Sequence, residues 1–291
     1  EDVVDVRASV RRLNELGIPT DLFEGADLAA RLPGFHLDGI AIGAYEQEAG
    51  YADPHATTEG LLRKALELGA EARLGTAVIG IERDPVGGGV LITQDAGRIG
   101  CRRILLAAGP WTRPLAQMVG VDLPLSVERH IVATFRWATA DRVPGFGDVT
   151  GGFYMRPEGD ELFLLGPLTP ASQADPDDFL TSITPDEVED LARRLTARVP
   201  SLSRAEVHGG WASLYDVSPD WQPVIGEIAP GVFVDAGTSG HGFKLAPALG
   251  AHVADLVTTG TADAGLAAFD PLRFKEGHDL AAGFGDARIL G

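Results

Sequence analysis

The run Gly231-Val-Phe-Val-Asp-Ala-Gly237-Thr-Ser-Gly240-His241-Gly242-Phe243-Lys244-Leu-Ala-Pro247 carries residue types and spacing suited to holding an anion. Val232, Phe233 and Val234 form a β-branched and aromatic run with no polar break, which predicts a strand buried on both faces of a parallel sheet. Gly237, Gly240 and Gly242 permit positive φ angles and let a ligand approach backbone that a Cβ would obstruct. From Lys244 to about Thr259, Leu245, Leu249, Val253, Leu256 and Val257 fall at helical spacing. Strand, glycine turn and helix in that order aim unpaired N–H groups and the positive end of a helix dipole at the turn. The plain alternative is a tight strand-to-helix turn that binds nothing.

The elements that must position this turn come from the rest of a 291-residue chain, long enough for one large domain or two ordinary ones. It contains no 18-residue apolar run, so no membrane span is expected. A formal charge of −18 argues against nucleic acid and anionic membrane as partners. A single cysteine, Cys101, excludes an internal disulfide, fits a reducing cytoplasm and reads as a small apolar residue at a strand start. The seven histidines show no pair at metal-ligand spacing, so no metal is expected. The chain opens in an acidic, helix-like segment, with neither a signal peptide nor a strand bearing Gly-x-Gly-x-x-Gly.

Val3, Val6, Val10 and Leu13 share one face of a helix over residues 1–16, closed by Gly17. A connection from Ile18 to Phe23 leads to a short helix from about Asp27 to Leu32, and Gly39 to Gly43 is expected as a strand. Asp53-Pro54 supplies the cap and first-turn residues of a helix ending at Leu68. The strand expected from Ala72 to Ile81 would complete the second half of a βαβ unit with it. Gly87 to Gly89 separates strands 76–83 and 89–93 as a hairpin. Arg102 to Gly109 reads as a buried strand whose small final residues leave room for a flat ligand. From Leu125 the pattern alternates: His130–Arg136, Gly152–Arg156 and Glu161–Gly166 predict an antiparallel sheet in a separate layer or domain. Thr184 and Glu187 have capping-box spacing and open a helix to about Val199, followed by a strand from Ala205 to Tyr215. The tail beyond Phe274 is expected to be short, polar and mobile.

Five segments resemble, in order, the D-amino-acid-oxidase-like flavoproteins, and within them the sarcosine oxidase and dimethylglycine dehydrogenase branch. They are Gly50-Tyr-Ala-Asp53-Pro54, Leu106-Ala-Ala-Gly109-Pro-Trp111, Tyr154-Met-Arg156-Pro157, Leu214-Tyr215-Asp-Val-Ser-Pro219-Asp220 with Pro223-Val-Ile-Gly226, and Gly237 to Lys244. The resemblance spans about Val3 to Phe274 and implies α/β plus α+β architecture. An incomplete Rossmann-type FAD-binding domain would comprise residues 49–118 and 217–265. An antiparallel-sheet substrate domain would comprise residues 1–48 and 119–216, with a tail at 266–291. The implied activity is oxidation of the C–N bond of a small secondary or tertiary amine or amino acid, sarcosine- or dimethylglycine-like, by hydride transfer to FAD.

By matching position, Val78 would meet the adenine side of FAD, and Ala107, Ala108, Gly109 and Trp111 would line the cofactor. Gly237, Gly240, His241, Gly242, Phe243 and Lys244 would lie against the flavin, where a helix N-terminus and a lysine stabilise negative charge. Lys244 either faces the flavin or sits on the surface. Tyr154 and Tyr215 are either substrate-pocket residues or buried tyrosines with satisfied hydroxyls. Arg156 either pairs with a substrate carboxylate or braces the turn at Glu158 and Asp160.

The chain departs from the resemblance in three ways. Ser213 stands where many sarcosine oxidases have the cysteine that attaches flavin, so FAD is expected without a covalent bond. Leu164 or Leu165 stands where the monomeric enzymes have an oxygen-activating lysine, so an acceptor other than O₂ is plausible. The Gly-x-Gly-x-x-Gly unit that holds the pyrophosphate is absent from the sequence. A truncated chain or fragment, a partner chain that supplies the missing piece, and a divergent non-catalytic descendant are the three explanations; the alternative to an enzyme is a non-catalytic fragment or subunit needing a partner segment to complete the flavin site.

Overall fold

The computed structural model describes residues 2–95, 97–138, 142–168 and 171–280. In chain order the elements are α1 (Asp2–Glu15), β1 (Thr20–Glu24), α2 (Gly25–Arg31), β2 (Ile42–Glu46), α3 (Pro54–Glu67), β3 (Val78–Arg83), β4 (Gly89–Thr93), β5 (Gly97–Cys101), β6 (Ile104–Leu106) and α4 (Thr112–Met118). There follow β7 (Ser126–Arg136), β8 (Phe146–Asp148), β9 (Phe153–Glu158), β10 (Leu162–Pro167), β11 (Ser172–Gln173), α5 (Pro185–Arg198), β12 (Glu206–Val217), β13 (Val224–Ala229), β14 (Val232–Ala236), α6 (Gly242–Thr259) and α7 (Arg273–Glu276). The described residues divide into two compact units: 2–48 with 126–215, and 49–125 with 216–280.

The first unit is built on a six-stranded sheet in the order β11-β7-β10-β9-β8, with β12 also paired to β7. Its pairings β7–β10, β10–β9 and β9–β8 are antiparallel. Alternation sends Ala133, Phe135, Phe153, Met155, Phe163 and Leu165 to one face, where they pack on Leu191 and Leu195 of α5. The other face carries His130, Thr134, Tyr154, Arg156 and Leu164. At the start of α5 the capping box forms: the Glu187 amide donates to Thr184 Oγ1 at 3.3 Å and the Thr184 amide to Glu187 Oε2 at 2.8 Å. The segment expected as a bare connection is instead β1, paired antiparallel to β2 in a separate two-stranded sheet. Gly39, at φ +79°, keeps its segment out of the extended region, so β2 starts at Ile42 rather than at Gly39.

The second unit has two three-stranded sheets, β13-β14-β6 and β3-β4-β5. β14 is parallel to β6 and antiparallel to β13, so its sheet is mixed rather than purely parallel. As its composition predicts, β14 is buried on both faces: Val232 and Val234 join a core with Ile104, Leu106 and Ala116, while Phe233 packs with Val253 and Leu256 of α6. β3 does not complete a βαβ unit. It pairs antiparallel with β4, and β4 with β5, through short turns whose closure costs somewhat less chain entropy than a crossover return. At Gly88, φ +73°, a Cβ would lie 2.4 Å from the Arg102 carbonyl, so only glycine fits that turn. Cys101 ends β5 rather than starting a strand: β5 lies before the expected Arg102–Gly109 strand, of which only the shorter β6 forms; its thiol lies 3.4 Å from the Gly89 carbonyl.

Asp53 caps α3, its Oδ1 accepting from the Ala56 amide at 2.7 Å. Among the described residues α3 buries none of its own, and Leu61, Leu62 and Leu66 are exposed. The chain continues through α7 to residue 280, and the remainder of the expected polar tail lies outside the described residues.

Candidate active site

In the second unit the parallel pairing of β6 with β14, Val234 opposite Leu106, brings the carboxyl ends of both strands to one edge of the sheet. Ala107, Ala108, Gly109 and Trp111 follow β6 at that edge, and Gly237 to Lys244 follow β14. Each segment runs directly into a helix, α4 and α6 respectively. Carboxyl ends of neighbouring parallel strands, opening into helix N-termini, form the ordinary ligand crevice of open α/β sheets. Gly109 adopts φ +51°, and a Cβ there would meet nothing within 4 Å, so open space adjoins its backbone. Trp111 is partly exposed. Val78 opens β3 in the other sheet of this unit, paired with Thr93.

The glycines of the second turn differ in what they do. Gly237, at φ +63°, is packed by protein: a Cβ would lie 2.8 Å from Leu125 Cδ2 and 3.0 Å from Val224 Cγ2. Gly240, at φ +84°, is exposed and presents the open side of the turn. Gly242 has no positive φ and opens α6, its missing Cβ making room for Thr238 Oγ1 at 2.7 Å. His241 is buried. The first turn of α6 contains no acidic residue, so no side-chain carboxylate offsets the helix dipole there. Phe243 and Lys244 are exposed, yet enough protein surrounds the ammonium that desolvation lowers its pKa. These features fit an anionic, flat group.

Sequence reasoning missed what holds the turn. Asp216, buried to 7% exposure, accepts from the Gly237 amide at 2.6 Å through Oδ2 and lies 3.4 Å from Thr238 Oγ1 through Oδ1. Its own carbonyl accepts from the Ser239 amide at 2.9 Å. Desolvation raises the Asp216 pKa despite these bonds, and Asp235 is raised by burial and then by the charge of Asp216. Nearby, Arg273 forks onto Asp220: Nε to Oδ2 at 2.9 Å and Nη2 to Oδ1 at 2.9 Å, both side chains buried. Burial alone would raise the Asp220 carboxyl, but hydrogen bonds from Arg273, Leu280 and Gln222 bring it below its ordinary value.

In the first unit, Tyr154 and Tyr215 lie near each other on the face away from α5. Burial, then the electrostatic influence of Tyr215, pushes the Tyr154 phenol up to about 12, against a small opposing pull from Arg156. Burial likewise raises Tyr215. The Tyr154 ring lies across Gly166, where a Cβ would meet Tyr154 Oη at 2.5 Å. Arg156 pairs with Glu158 and donates to the Pro157 carbonyl at 3.1 Å, bracing its own turn. Leu164 and Leu165 are both buried. Sequence reasoning passed over Glu128 and His130, although alternation against Ile131, Ala133 and Phe135 would have set both on the face of Tyr154. His130 stacks on Tyr215 with ring centroids 4.0 Å apart and 19° between planes, and its Nε2 lies 3.1 Å from Glu128 Oε2.

Residues 1–256 match the family of FAD dependent oxidoreductases. The chain belongs to that family. It is 30% identical over 255 residues to 4-methylaminobutanoate oxidase (formaldehyde-forming) of Paenarthrobacter nicotinovorans, covering 82% of this chain and 30% of that relative. It is also 30% identical over 283 residues to N-methyl-L-tryptophan oxidase of Salmonella arizonae, covering 92% of this chain and 72% of the relative. The chain thus spans less than a third of the length of the first relative. L-proline dehydrogenase from P. horikoshii shares the fold, with a TM-score of 0.81 at 24% identity over 92% of this chain and 72% of that one.

Proposed function

We propose that the protein is an FAD-dependent oxidoreductase that oxidises the C–N bond of a small secondary or tertiary amine or amino acid, with FAD held non-covalently. The observation that carries this reading is the β6–β14 edge, where two glycine-bearing turns and the acid-free N-terminus of α6 meet at the carboxyl ends of parallel strands. FAD, when bound, supplies a two-electron acceptor for the hydride leaving the carbon beside nitrogen. The chain's own residues bind and orient. The amides at the start of α6 and Lys244 stabilise an anionic ring, and the backbone of Ala107 to Gly109 gives a flat wall. Tyr154 and Tyr215 shape the substrate face of the first unit. Arg156, which also pairs with Glu158, and Lys244 are the two cations proposed for a substrate carboxylate. A secondary or tertiary amine is favoured by the N-methylated compounds in the names of the two relatives.

The grip on the FAD pyrophosphate is assigned to a segment or partner chain outside these 291 residues, and the exposed leucines of α3 are the surface offered to it. No helix among the described residues is long and apolar enough to cross a membrane. A cytoplasmic location is part of the same proposal, supported by the single cysteine. The test is spectroscopic. The full-length protein, loaded with FAD and made anaerobic, should lose its visible flavin absorbance on addition of sarcosine, dimethylglycine or another N-methyl amino acid. Bound flavin that no member of such a panel bleaches would refute the substrate class.

A further inference from the structure

His130 is an unusual residue to bury at 6% exposure on a sheet face that also carries two half-buried tyrosines and an arginine. Apolar packing does not explain it, since the apolar face of β7 is the opposite one, with Ile131, Ala133 and Phe135 against α5. Its contacts are specific. The imidazole lies almost parallel to the Tyr215 ring, and its Nε2 meets the Glu128 carboxylate. A carboxylate can only accept, so Nε2 carries a proton in this arrangement. We propose that Glu128 and His130 form a positioning pair that fixes the ring plane of Tyr215 and makes the amine-binding face of this sheet responsive to pH. The amine half of this inference rests on the function proposed above; the positioning half does not.

The reasoning is electrostatic and steric together. Burial lowers the His130 pKa, and the Glu128 carboxylate pulls the other way without overcoming it, so the imidazole is neutral near pH 7. The groups that face it are Glu128 from β7, Tyr215 from β12 and, beyond Tyr215, Tyr154 from β9. Arg129 points to the α5 side, where it pairs with Glu187. Neither phenol ionises near neutrality, because burial raises both. Protonation of His130 therefore places a new positive charge against the Tyr215 ring. A substrate whose nitrogen arrives as an ammonium is repelled by it, and Tyr215 itself registers the change.

The experiment uses the full chain with ring-¹³C tyrosine, the Tyr215 resonance being assigned by its loss in Tyr215→Phe. In the wild type that resonance should shift with pH, with a midpoint below the ordinary imidazole value of about 6.5. His130→Phe keeps a stacked ring that cannot be protonated and should abolish the shift. Glu128→Gln keeps an acceptor but removes the charge that favours imidazolium, so the midpoint should move lower still. This second variant preserves every packed group and guards against a folding failure in the first. Affinity for sarcosine, measured by calorimetry, should weaken about tenfold as pH falls through the same midpoint, and His130→Phe should lose that step. A Tyr215 resonance that titrates identically in His130→Phe, or stays constant in the wild type through the acid range, overturns the positioning role. A titrating Tyr215 in a protein that binds no N-methyl amine upholds the positioning role and overturns the amine assignment.

Discussion

Replacing Asp216 tests the clasp on which the α6 turn depends. In Asp216→Ala the Gly237 amide loses a charge-assisted acceptor 2.6 Å away and is left buried behind Leu125 and Val224, where no side chain replaces the bond. Leaving such a buried donor unsatisfied, with a hydrogen bond to a charged group gone, costs about 3 kcal/mol. Asn keeps an oxygen for Gly237 and relieves the desolvation of a buried charge, so Asp216→Asn should cost less than about 1 kcal/mol. The pH dependence separates the two further. Burial raises the folded-state pKa of Asp216 above its unfolded value, so between those values the folded protein binds more protons and stability falls as pH rises. Asp235 contributes a slope of the same sign, enlarged by the Asp216 charge. Asp216→Asn should flatten this slope, removing one contribution outright and reducing the other. Urea unfolding of the wild type and both variants, followed by fluorescence at several pH values between about 4 and 8, reads all of this. Equal costs for Ala and Asn would show that the acceptor oxygen at 216 is not what holds the turn, and an unchanged slope in Asp216→Asn would show that its carboxyl does not carry the pH dependence.

The buried fork between Asp220 and Arg273 yields a second expectation. Arg273→Ala should destabilise by about 3–5 kcal/mol, because an uncompensated carboxylate remains buried. The folded-state pKa of Asp220 lies below its unfolded value, so its contribution is present above the unfolded value and disappears as pH falls through the folded one; thermal melts of the wild type and the variant should converge in acid. Gly166→Ala forces the Tyr154 ring aside, since the new methyl would occupy its place; a cost of about 1 kcal/mol is expected in denaturant, with Tyr154 displaced in the variant's structure. Thr184→Ala removes half of the α5 capping box and should cost about 1 kcal/mol, measured in the same way, whereas Thr184→Ser should restore most of it.

Features specified within a few residues were legible in the chain. The Asp53 cap, the Thr184–Glu187 box, the α6 periodicity and the buried Val232–Val234 run of β14 each follow from side chains close together in the chain. The sheet alternation from Leu125 onward was legible for the same reason, since period two is a property of the strand itself. Which strand finds which is a different matter. The helix-then-strand spacing around α3 and β3 suits a βαβ crossover, yet β3 closes on β4 because the glycine turn is the cheaper loop.

The same division holds for the candidate site. Glycine and lysine types marked the α6 turn as suited to an anion, and the tyrosines stood out by kind. What only the tertiary structure decided is which residues hold them: Asp216 under Gly237, His130 against Tyr215, Arg273 on Asp220 and Glu158 on Arg156. The first three pairs are separated by 21 to 85 positions along the chain, and the fourth could as well have left Arg156 open to a ligand. Local spacing sets what a side chain can do, whereas burial and the approach of distant strands set its charge, its partner and therefore its role.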